Sequence, residues 1–195
     1  MRHGTGTIGA VTAASTPKGE RRRQALVEAA AALLADGGFD AVRHRAVAER
    51  AGLPLASTTY YFRSLDELVM AAVEHGAREE LAACRAALQN AGSDAFVELL
   101  LDALLGPRGD FDAVLIRYER FVAAGRRPWL GPLMRELRAE LDALLADMAS
   151  RFGRSTDPDE LARLVAVVDG AVISALIESD PDPRAAARRM LVPLL

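Results

Sequence analysis

Between Leu164 and Ile177 fourteen residues run with a single charge, Asp169, and this run limits the fold more than any other stretch. Its Leu, Ala and Ile content supports a helix, and that helix is apolar on nearly every side. A helix docked on its own domain needs only one apolar stripe, so a second cover is implied. At about 1.5 Å per residue the run is too short to cross a bilayer core of about 30 Å, which makes the cover protein. In a chain of 195 residues a partner subunit is the expected cover, with Gly170, Ala171 and Ala175 permitting close approach.

The rest of the chain reads as helix too. Aromatic residues are 5% of the total, Ala and Leu dominate, and no stretch alternates apolar with polar, so the expected class is all-α with about nine to ten helices. Residues 1–17, rich in Gly, Thr, Ala and Ser, lack periodicity and read as a flexible arm. From Lys18 the spacing of Leu26, Ala30, Leu33 and Leu34 predicts a helix that Gly37-Gly38 stops. A short amphipathic segment through Val47 ends at Gly52, and a brief helix follows over about Leu55–Phe62. Ser64 and Glu67 form a capping-box pattern ahead of a long helix. Later helices are expected over Ser93–Leu105, Phe111–Ala124, Trp129–Phe152, Asp157 to about Ser179, and Pro183–Leu195.

Charge is divided along the chain. Residues 1–63 hold nine basic and five acidic side chains, a balance of +4, so the remainder carries −7 of the net −3. A basic first third on an acidic body is the asymmetry expected when one end meets phosphate. Two short helices around a Gly-containing turn in that basic region suggest a helix-turn-helix, with Val47, Leu53 and Phe62 filling its small core. Catalytic classes find no support. His3, His44 and His75 are scattered, no Glu-x-x-His pair or Gly-rich phosphate loop is present, and Cys84 is the single cysteine, so no metal or cofactor is expected. The lone cysteine and the absence of an apolar run after Arg2 and His3 point to the cytoplasm.

The segments Val47-Ala48-Glu49-Arg50-Ala51-Gly52-Leu53, Ser57-Thr58-Thr59-Tyr60-Tyr61-Phe62 and Ser64-Leu65-Asp66-Glu67-Leu68 closely resemble the signature of TetR-family transcriptional regulators. The resemblance covers residues 20–70 and includes the turn Gly38-Phe39-Asp40-Ala41. It implies a three-helix DNA-binding domain over residues 18–63 and an effector-binding and dimerisation domain over 64–195. By the family pattern Arg45, Leu55, Ala56, Ser57 and Thr59 lie where base edges are read, while Arg43, His44, Tyr60 and Tyr61 lie near backbone phosphates. Three positions depart from the pattern: Pro54 and Arg43 replace residues that often cap helices, and Leu65 replaces a lysine that often meets phosphate.

For the C-terminal part the resemblance implies a small-molecule pocket and a four-helix dimer bundle. Met70, Phe96, Phe111, Tyr118, Phe121, Trp129 and Met134 are the expected pocket residues, with Arg117, Glu119 and His75 as candidate polar contacts. Leu137, Leu141, Leu144, Val168, Ala171, Val172 and Ala175 are expected across the dimer. The expected partners are operator DNA, a second copy and a small-molecule effector, acting together as a repressor that the effector releases. The alternative is a helical sensor or interaction protein of the same fold that does not bind an operator.

Overall fold

The computed structural model describes residues 16–195, and among these every regular element is a helix. The expected arm over 1–17 lies, except for its last two residues, outside the described residues. The first helix, α1 (Pro17–Ala41), opens on Thr16, whose Oγ1 accepts the Gly19 N–H at 3.2 Å. Gly37 and Gly38 interrupt it as expected, with Gly38 at φ 66°. Helices α2 (His44–Arg50) and α3 (Ala56–Tyr61) follow. Between them Gly52 takes φ 63°, which lets the Leu53 N–H reach the Ala48 carbonyl at 3.0 Å and the Gly52 N–H reach that of Glu49 at 3.1 Å. That paired closure ends a helix in a tight turn, and a side chain at position 52 would strain it.

Helix α4 (Leu65–Gln89) starts at Ser64, whose Oγ accepts the Glu67 N–H at 3.1 Å. The Glu67 carboxylate reaches back one residue further than a capping box requires, to the Arg63 N–H at 2.7 Å. Then come α5 (Phe96–Leu105), α6 (Phe111–Gly125), α7 (Gly131–Arg151), α8 (Pro158–Ile177) and α9 (Pro183–Leu191). Three boundaries differ from expectation: the helix expected from Ser93 begins at Phe96, and two others fall at prolines. Trp129 sits in a separate 3-10 turn (Pro128–Leu130) ahead of α7, and the last helix gives way to a second 3-10 turn at Val192–Leu194. Pro132 and Pro193 account for both, since a residue without an N–H fits only the first turn of a segment.

Two apolar cores result. One joins α1, α2 and α4 around Leu26, Leu34, Val47, Phe62 and Leu68. The other joins α5, α7, α8 and α9 around Leu100, Leu101, Leu144, Met148 and Val168. Helix α4 belongs to both, with Leu68 and Ala72 in the first and Leu81, Cys84 and Leu88 in the second. Its 25 residues give a rod roughly 37 Å long. Helix α6 packs along α1, and beyond its end Arg127 stacks over the Phe39 ring with 4.1 Å to the centroid. Ion pairs trim the joints: Arg78 ties α4 to Glu136 of α7 at 2.6 Å, and Arg184 ties α9 to Glu98 and Asp102 of α5 at 2.9 and 2.8 Å. The Arg78 pairs are exposed and contribute about 0–1 kcal/mol each. Among the described residues no helix is long and apolar enough to cross a membrane.

Candidate functional site

The small core of α1–α4 holds α2 and α3 with one shared face outward. Arg43, Arg45, Leu55, Ala56, Thr59 and Tyr60 are exposed on it, and Tyr60 keeps 81% of its surface open. Ser57 and Tyr61 are half-buried, the Tyr61 ring meeting Tyr60 edge-on with centroids 4.9 Å apart. Neither helix has a side-chain cap at its start, as Arg43 and Pro54 lead one to expect, and Arg43 instead donates from Nε to the Asp40 carbonyl at 3.2 Å.

A buried hydroxyl joins the two helices. Thr58 is fully buried, and its Oγ1 donates to the Leu55 carbonyl at 2.8 Å. That spends the only hydroxyl proton, so His44 Nδ1, 3.0 Å away, is the donor of the second bond. His44 is therefore a positioning residue that locks α2 to α3, and its Nε2 is left for outside contacts. Thr58→Val keeps the shape and deletes the acceptor, so we expect a loss of about 1–3 kcal/mol in urea denaturation. An unchanged midpoint would mean that water replaces the bond.

Of the basic run after Lys18, Arg23 stacks over Phe62 at 5.0 Å and Arg21 donates to the Pro17 carbonyl at 3.2 Å, while Arg22 is exposed.

Where α1, α4, α5, α6, α7 and α8 converge they form a cavity of about 480 Å³, within the usual range for small-molecule sites. Its wall is mainly apolar, and Ala31, Leu34, Ala35 and Phe39 of α1 form part of it. Helix α6 presents two stripes to this space. Arg117 and Arg120 turn towards α4, where Glu80 accepts from Arg117 at 2.6 Å and lies 4.0 Å from Arg120. Tyr118 turns towards α8 and donates to Asp169 Oδ1 at 2.7 Å. Burial, and next the bond to Asp169, push the Tyr118 hydroxyl well above the ordinary phenol value, so it remains a proton donor. Burial lowers the Arg120 guanidinium from its usual value, opposed by Glu80. Cys84 lines the same cavity, and burial, followed by the Asp102 and Glu80 carboxylates, raises its thiol, leaving it a poor nucleophile.

Sequence comparison matches residues 26–72 to the bacterial regulatory proteins of the tetR family, and residues 91–195 to the tetracyclin repressor-like C-terminal domain. The chain belongs to the TetR family. Among solved structures, the multidrug binding protein EbrR complexed with imidazole is 35% identical, with a TM-score of 0.64 over 93% of this chain and 92% of that one. EbrR complexed with ethidium is 37% identical, with a TM-score of 0.64 over 89% and 98% of the two chains. A TetR-family member from Streptomyces coelicolor A3 is 32% identical, with a TM-score of 0.55 over 89% and 98%. No protein of curated function matches the chain in sequence.

Within this TetR-family frame the expected pocket residues divide. Tyr118, Phe121 and Met134 line the cavity, as does Arg117. Phe96 does not: it is buried in the body core against Phe152, with centroids 5.5 Å apart, and Arg154 stacks on it. Trp129 packs between the first core and a small cluster around Leu130, Met70 joins that cluster, and Phe111 is half-buried at the start of α6. Glu119 is exposed, and His75 is half-buried outside the cavity wall. Size and aromaticity do not reveal rotation about a helix axis, which decides these cases. Glu80, Arg120, Asp169 and Thr58 carry polar roles that the sequence reading passed over. A signal existed for Asp169, the only charge in an otherwise apolar run.

The residues expected across the dimer fall in three places. Leu144, Val168, Val172 and Ala175 are buried within one chain. Leu137 and Leu141 line the cavity, and Ala171 is half-buried in a groove against α9. The open apolar side of α8 is the opposite one, bearing Ala166, Gly170, Ile173, Ser174 and Ile177, with Met190 of α9 beside it. Ile173 and Ile177 are 42% and 78% exposed.

Proposed function

We propose that this TetR-family protein is a ligand-responsive repressor: a homodimer that holds palindromic operator DNA with the exposed face of α2 and α3 and lets go when a small organic molecule enters the cavity. The observation that carries the reading is the cavity wall itself, because α1, the first helix of the DNA-reading unit, lines it together with α4 and α6. An occupant thus touches the reading unit directly and can favour one placement of α1 over another. Differential contact of that kind is what a shift between two conformers requires. EbrR, whose solved complexes include proflavin, malachite green and ethidium, supports an organic effector of comparable size.

The dimer is read from the outer stripe of α8 and the adjoining part of α9. Pairing that patch about a two-fold axis covers it with itself. Two reading units about 34–36 Å apart then meet successive major grooves on one side of the duplex. The body is acidic and the head basic, so the phosphate field favours this approach. Operator DNA places the work in the cytoplasm.

Mobility-shift assays with duplexes from the flanks of its own gene test the proposal. A preferred duplex should be retained over random sequence at moderate salt. Arg45→Ala should weaken that duplex by about 1–3 kcal/mol, the worth of one bidentate base contact, with melting unchanged. Equal affinity for flank and random DNA would refute the repressor reading.

A further inference from the structure

We infer that the cavity takes an organic acid with an apolar body, bound as its carboxylate, and that Arg120 is the group that receives the charge. This rests on reading the cavity as the effector site. Three arginines, Arg117, Arg120 and Arg138, stand on the wall against two carboxylates, Glu80 and Asp169. Arg138 is met by Asp142 at 2.8 Å in an exposed pair. Glu80 stands between the other two guanidinium groups and satisfies one of them. Its Oε2 accepts from Arg117 at 2.6 Å, while its Oε1 lies 4.0 Å from Arg120, beyond hydrogen-bond reach. Arg117 also donates to the Leu104 carbonyl at 3.0 Å and lies over the Phe121 ring. Arg120 donates no hydrogen bond to any described residue, although its side chain is only 19% exposed. One carboxylate between two guanidinium groups leaves a positive charge over, and it is the charge of Arg120.

Burial works against that charge, Glu80 supports it and Arg117 opposes it. A guanidinium in a mainly apolar recess with its N–H groups unmet is expensive to keep. A carboxylate removes the deficit, because its two oxygens match the planar fork of donors. The rest of the space suits the apolar body of such a guest, since Leu34 of α1, Val73 of α4 and Leu137 and Leu141 of α7 line it. The α8 side limits the guest to one negative charge. Asp169 is a carboxylate there, its Oδ1 accepts from Tyr118 at 2.7 Å, and a second anion beside it would be repelled. The space is therefore polarised, with its unmet donors where α6 faces α4 and its negative group at α8.

Calorimetric titration of the full chain tests this with three probes that share one apolar body: naphthoate, an anion; naphthamide, a neutral molecule; and naphthylmethylammonium, a cation. Wild-type protein should bind naphthoate at least about ten-fold more tightly than either of the others, the worth of one charge-assisted contact. Arg120→Met should bring naphthoate down to the affinity of naphthamide and leave naphthamide binding in place. Arg120→Lys, which keeps the charge without the planar fork, should give naphthoate an intermediate affinity. Ala77→Trp, which fills the cavity, should abolish binding of all three. A naphthoate-to-naphthamide ratio that survives Arg120→Met, or one near or below unity in the wild type, with Ala77→Trp still blocking, would overturn the inference and leave the effector site standing. Binding untouched by Ala77→Trp, or no binding of any probe, would remove the site and the inference together. Circular dichroism reports whether each variant folds. Should Arg120→Met not fold, the wild-type ratio and Arg120→Lys decide, and a ratio near unity refutes the proposal.

Discussion

A protein carrying Ile173→Asp and Ile177→Asp is expected to sediment as a single chain of 20.9 kDa while retaining the helical signal of its parent. Both side chains stand on the open face of α8, so neither change disturbs the chain's own core. About a two-fold axis each residue enters the interface twice, so four apolar side chains are lost and four carboxylates are brought together. Only the exposed 42% and 78% of these side chains remain to be covered, so at about 1.5 kcal/mol per fully buried side chain the loss is on the order of 3–4 kcal/mol. That is roughly two to three decades in association constant before any charge repulsion. Operator affinity should fall with it, because a lone reading unit meets one half-site. Val168→Asp is the control, since it lies fully buried among Leu144, Val172 and their neighbours and should unfold the body instead of splitting a dimer. A double variant that stays dimeric at micromolar concentration would place the interface elsewhere.

Phe62→Ala is expected to cost about 3–5 kcal/mol, the usual loss for emptying a buried aromatic site. Phe62 is 1% exposed and sits just after α3, where it closes the small core with Leu26, Val47 and Leu68, and Arg23 covers its ring. For a chain of this size that loss lowers the melting temperature by roughly 6–20 °C. It should fall first on the reading unit, whose core is the smaller, so operator binding should vanish before the body loses its helical signal, and cavity binding should weaken with it because α1 forms part of the wall. A loss below about 1 kcal/mol, or a single melting step in which both cores unfold together, would show that the two cores do not unload in that order.

These two changes differ in what was legible beforehand. Phe62 belongs to a short segment whose partners lie close in sequence, and the roles of Gly52, Ser64 and Asp157 were readable for the same reason. Each is a local matter of a positive φ or a hydroxyl or carboxylate within three residues of the amide it caps. The proposed dimer face was not readable. A helix apolar all round does not say which side meets its own core, and the inner stripe of Val168, Val172 and Ala175 looks the same in sequence as the outer stripe of Ile173 and Ile177.

By itself, then, the chain's order of residues determined the helical class, the turn that shapes the reading unit, and the family. Those follow from forces acting over one or two turns of backbone. Only the tertiary structure decided that Phe96 fills a core while Phe121 faces a cavity, that Glu80 and Asp169 flank one space from different helices, and that α1 closes it. Such facts depend on how helices distant in sequence are rotated against one another, and spacing along a single helix carries no record of that rotation.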